Sequence, residues 1–152
     1  MTARSQFGFR RHAGPFVVAA PVRNEVTLQS VSELLSEMRR IRTGDLEDRE
    51  LDDVKSYLMG VFPATVQTAS DIASRLVDME LYGLPEDYFD RYRENIANVM
   101  KEDVERVAQK YLDPDRVLIV IVGNASEIRE PLGTLGLPVH ELDIDGNMLP
   151  VS

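Results

Sequence analysis

The spacing of apolar residues changes several times along the chain, and each change marks a predicted element. Phe7 and Phe9 alternate with Gly8 and Arg10, and a second apolar stretch covers 16–22 after His12-Ala13-Gly14-Pro15. Aromatic and β-branched flanks around a Gly-Pro turn predict a β-hairpin. From Thr27 the period becomes helical. Leu28, Val31, Leu34, Leu35, Met38 and Ile41 share one face, Glu33, Glu37, Arg39 and Arg40 lie elsewhere, and Gly44 is placed to end the helix. Acidic residues 45–48 begin a second helix with Leu51, Val54, Leu58 and Val61 inward, broken at Pro63.

A third helix places Ile72, Leu76, Met79 and Leu81 inward, with Thr68 or Ser70 as cap and Gly83 and Pro85 as terminators. A fourth over 86–98 presents Tyr88, Phe89, Tyr92 and Ile96. A fifth over 101–111 buries Val104, Val107, Ala108 and Tyr111. Residues 116–122 are apolar on both faces and predict a central strand covered on both sides. A short helix over 126–135 and a strand over 139–144 follow, then a frayed tail from Asp145. The expected fold is α+β: a single domain over 1–144 with a tail over 145–152, and a mixed or antiparallel sheet with helices packed on one face.

Composition narrows the chemistry. The 152 residues are 43% hydrophobic and 28% charged, enough for one domain with a core. Seventeen basic against 26 acidic residues give a net charge of -9, so nucleic acid is not an expected partner. With no cysteine, disulfides, thiolate catalysis and cysteine metal sites are excluded. His12 and His140 are too far apart in sequence to form a helical metal pair. The longest apolar run, 117–122, falls far short of the roughly 18 to 20 residues of a membrane span, and residues 1–12 lack the apolar core of a secretory signal.

The remaining clusters have structural readings. The acidic residues of 45–53 suit a helix N-terminus and a solvated face, without the residue order of a calcium loop. Gly123-Asn124-Ala125-Ser126 has one glycine and reads as a strand-end turn, not a phosphate cradle. His12, beside Arg10 and Arg11, reads as a solvent-facing turn residue, and no nucleophile motif is present. Taken alone, the residues give an α+β domain with no catalytic constellation.

Specific strings add to this. Leu81-Tyr82-Gly83-Leu84-Pro85-Glu86-Asp87-Tyr88, then Glu102-Asp103-Val104, Val107-Ala108 and Lys110-Tyr111-Leu112, lead through Asp113-Pro114-Asp115-Arg116 into Ile119-Val120-Ile121-Val122-Gly123. Gly14-Pro15-Phe16, Leu34-Leu35, Glu50-Leu51, Phe62-Pro63, Thr68-Ala69 and Ile72-Ala73 precede them in order. From about residue 7 to 142 the chain resembles the C-terminal, non-zinc-binding domain of the pitrilysin/insulinase family of zinc metallopeptidases, which includes the mitochondrial processing peptidase.

The resemblance implies one of two homologous halves that close around a peptide. The other half would hold the zinc on the inverted motif H-x-x-E-H. Neither histidine of this chain matches it, so no catalytic or metal residue carries over, and zinc is expected only in the partner half. The family's substrate-reaching arginine and tyrosine would lie just before the hairpin, with Met1 about where the tyrosine falls. That pair, and the first strand and helix of the half-domain, are therefore expected to be missing. Phe7, Phe9, Arg10 and Arg11 are the nearest positions and the candidates for facing substrate or partner. The partners implied are a zinc-bearing homologous domain or subunit, a peptide in the shared cleft and, through an uncovered sheet edge, a second copy of the chain. The alternative is a structural or interaction module of the same fold with no peptidase role.

Overall fold

The computed structural model describes residues 3–149. It is an α+β fold, as the sequence predicts. Strands β1 (Arg4–Phe7) and β2 (Phe16–Ala19) form an antiparallel hairpin with Arg4 opposite Ala19 and Phe7 opposite Phe16. The rings of that last pair lie 4.7 Å apart, a cross-strand contact that fixes the register. Six helices follow: α1 (Thr27–Arg42), α2 (Asp48–Val61), α3 (Ala69–Tyr82), α4 (Tyr92–Ala97), α5 (Lys101–Tyr111) and α6 (Ala125–Gly133).

Local chemistry sets most boundaries where the sequence places them. Past the end of α1, Gly44 adopts φ 72°, and Gly83 closes α3 at φ 60°. Pro63 falls in a 3-10 turn, Phe62–Val66, between α2 and α3. At the start of α3 the Thr68 hydroxyl accepts from the Asp71 amide (3.1 Å), and the Asp71 carboxylate accepts from the Thr68 amide (2.9 Å). At α2 the Glu47 amide donates to Glu50 (3.2 Å), while Arg40 of α1 reaches the same carboxylate at 3.2 Å and ties the two helices together.

These reciprocal caps predict an acid dependence. Arg40 and the Glu47 amide hold Glu50 below the ordinary carboxylate range; the Thr68 amide does so for Asp71, and Arg106 with the Met100 amide for Asp103. A carboxyl whose pKa is lower folded than unfolded stabilises the fold above its unfolded pKa, and the contribution disappears as pH falls through the folded value. Urea midpoints followed by circular dichroism should therefore stay level near neutrality. They should drop once the pH passes below the free-carboxylate range of about 4.

The buried apolar residues are few: Ala108 of α5, Leu112 and Pro114 just beyond it, and Ile128 and Leu132 of α6. They gather where α5 and α6 pack on α1. Between α1 and β2 lies an open, mainly apolar groove of about 310 Å³ lined by Phe16, Val18, Leu34, Met38, Ile41 and Leu112. The accessible surface is 11943 Å², against about 7,700 Å² for a compact monomer of this mass. Much apolar surface is thus left in solvent.

Three elements differ from expectation. The predicted helix over 86–98 shortens to α4, because Phe89 and Tyr92 both stack on Phe62, at 6.4 and 4.5 Å, and the chain bends through turns to bring them there. The predicted strand over 139–144 is reduced to a single bridge, Leu142 to Met148. Its extension is stopped at Asp143, whose carboxylate accepts from the amides of Asp145 (2.9 Å) and Asn147 (2.8 Å). Residues 145–149, the described part of the tail, fold back so that the Leu149 amide donates to the Glu141 carbonyl (2.8 Å).

The third difference is the run 116–122, predicted as a central strand covered on both faces. Among the described residues it pairs with no strand. It passes along α1 in the opposite direction: Arg42 contacts the Leu112 carbonyl and Arg39 lies 3.4 Å from Asp115, while at the far end Gly123 lies beside Asn24, ahead of α1. Only the face toward the body is covered. No described strand or helix meets the other, so its apolar residues stand in solvent.

Candidate partner-facing surface

The hairpin loop, residues 8–15, is closed by the Gly8 amide donating to the Pro15 carbonyl at 2.8 Å. Gly14 is required there, since a Cβ at that position would sit 1.6 Å from the Gly8 carbonyl oxygen. The closed loop projects Phe9, which is 82% exposed, with its ring 6.5 Å from that of Tyr82 at the end of α3. Arg10 and Arg11 are exposed beside it, and neither forms an ion pair with another described residue. Two uncompensated cations on a chain of net charge -9 mark a local reversal of sign.

The four sequence candidates therefore divide. Phe7 is committed to the hairpin through Phe16. Phe9, Arg10 and Arg11 share the loop and point away from the core. Met1, where the resemblance would set the family's tyrosine, lies outside the described residues.

Helix α3 extends this surface in a way the sequence reading misses. Ile72, Leu76 and Leu81, predicted inward, are exposed, together with Val77. The helix is turned by its charged side. Arg75 lies 5.4 Å over the Phe89 ring, so the polar side of α3 meets the aromatic cluster and the apolar stripe is left outside. A sequence clue exists in Val77, which is apolar but off the predicted stripe.

The chemistry of this surface is that of contact. Among the described residues no group of three or more His, Asp or Glu side chains could hold a metal ion, and His12 and His140 are both exposed. At 123–126 the Asn124 side chain accepts from the Ser126 amide, and Glu127 places a carboxylate on Asn24 at 3.0 Å, which suits a helix cap and repels an anion. No helix among the described residues is long and apolar enough to cross a membrane. A search against protein-family models finds no match, and a search of curated proteins finds none either.

Proposed function

We propose that this chain is a non-catalytic C-terminal half-domain of a pitrilysin/insulinase-like zinc metallopeptidase, closing over a peptide held by a separate zinc-bearing half. The observation that carries the reading is the exposed face of Phe9, Arg10, Arg11 and the outward side of α3. An aromatic anchor beside two free guanidinium groups is the composition of an interface centre, and arginine suits carboxylates on a partner or on a bound peptide. Closing such a face over a peptide excludes water from the shared cleft and strengthens the electrostatics of the zinc-bearing half. The sequence strings and the α+β architecture support the same reading.

The purified chain should then hold no tightly bound zinc. Dialysis against trace zinc followed by elemental analysis is expected to find well below one ion per chain. One stoichiometric, chelator-resistant zinc would overturn the proposal. An interaction module of the same fold without a peptidase role would use the same face, and differs in that its partner lacks the H-x-x-E-H motif.

A further inference from the structure

We infer that the hairpin loop receives a short acidic peptide segment carrying one large apolar side chain, with its carboxylates on Arg10 and Arg11 and that side chain against Phe9 and Tyr82. The inference rests on the proposed function, since it names the peptide chemistry for the surface on which that reading stands. Charge along the chain is segregated. No acidic residue occurs in 1–24, which holds Arg4, Arg10, Arg11 and Arg23, and all 26 acidic residues follow. The net charge of -9 thus divides into +4 over 1–24 and -13 over 25–152. The four arginines are exposed, and none forms an ion pair with another described residue, whereas nine of the remaining 13 basic residues do. The hairpin is therefore the one segment whose cations the chain leaves for another molecule to neutralise.

Position selects the loop and the ligand. Arg4 borders the groove between α1 and β2 together with Glu37 and Asp45, and Arg23 lies in the neighbouring groove with Glu33, so both have carboxylates nearby. Arg10 and Arg11 border neither groove, and they stand on a loop whose backbone is closed by the hydrogen bond from Gly8 to Pro15 (2.8 Å). Guanidinium groups offer paired N–H donors that match carboxylates. Beside them the rings of Phe9 and Tyr82 lie 6.5 Å apart and inclined at 58°. Phe9 is 82% and Tyr82 36% exposed, which leaves ring faces open to a third, apolar side chain. Length follows from the remaining charge. The -13 elsewhere repels a long polyanion such as nucleic acid, whereas a few carboxylates held within the screening distance of about 8 Å meet chiefly the two arginines.

The test uses the isolated chain and a fluorescein-labelled decapeptide with a central phenylalanine flanked by four glutamates. Its anisotropy should rise on titration with the chain. The glutamine counterpart should bind at least about tenfold more weakly, and the glutamate peptide itself should lose about tenfold in affinity between low and high salt. Arg10→Glu combined with Arg11→Glu should reverse the preference in favour of a lysine counterpart. Arg116→Glu, at an exposed cation outside the hairpin, should change affinity less than about twofold. Phe9→Ala should weaken binding of the phenylalanine peptide and leave that of a glycine version unchanged. Equal binding of the glutamate and glutamine peptides, no binding of either, or an equal loss in R116E and in the double variant would overturn the inference. So would binding to phosphatidylserine-containing vesicles that is tighter than to the glutamate peptide, which would assign the loop to an anionic lipid surface. Failure here is distinct from failure of the half-domain reading, which is decided by the partner's H-x-x-E-H motif and by cleavage on mixing.

Discussion

Replacing Ile128 with alanine is expected to remove a large share of the chain's stability, in the range of about 2–5 kcal/mol, an effect out of proportion to one side chain. The reason is the small number of apolar residues that share the interior: Ala108, Leu112, Pro114, Ile128 and Leu132. Truncating a buried aliphatic side chain costs about 2–5 kcal/mol, whereas a whole domain commonly has a margin of about 5–15 kcal/mol. Here the excess exposed surface places the margin at the low end. Ile72→Ala on the outward face of α3 is the control and should change stability by no more than about 0.5 kcal/mol. Urea denaturation followed by circular dichroism measures both. Equal losses for the two variants would mean that the α3 face is buried in the isolated chain.

The second large effect concerns association. The triple substitution Phe9→Ala, Arg10→Ser, Arg11→Ser should reduce affinity for the proposed zinc-bearing half at least about thirtyfold, the loss of an anchor worth about 2 kcal/mol, while the helical circular dichroism is unchanged. Two components are separable. Phe9→Ala alone should lower affinity equally at low and high salt. The arginine substitutions should matter most at low salt, where their charges are least screened. Arg49→Ala, on exposed α2 and paired with Asp53 at 3.6 Å, should have no effect. Titration calorimetry at two salt concentrations distinguishes these outcomes.

Much of the fold is legible from local patterns. The hairpin, the α1, α2, α3 and α5 helices, and the caps at Thr68 and Gly83 follow from periodicity and from residues whose chemistry acts within a few positions. What escapes the sequence depends on distant partners. Phe62 draws Phe89 and Tyr92 out of one regular helix. Arg75 anchors the polar side of α3 on Phe89, so an apolar stripe that reads as core becomes surface. Residues 117–122 show the limit most plainly, because apolarity on both faces states that a strand wants cover but not that this chain supplies it. The hairpin candidates were legible as a group; their division, with Phe7 spent on Phe16 and Phe9 left outside, depended on the register of β1 and β2.

The central claim is that the chain completes a peptidase whose zinc lies elsewhere. Its most direct test is to capture the native partner on the tagged chain, identify by mass spectrometry whether that partner carries H-x-x-E-H, and assay cleavage of a fluorogenic peptide library with each protein alone and with the two mixed. The account predicts a motif-bearing partner and cleavage that depends on mixing. Cleavage by this chain alone, or a motif-bearing partner whose activity is the same with and without it, would contradict the account.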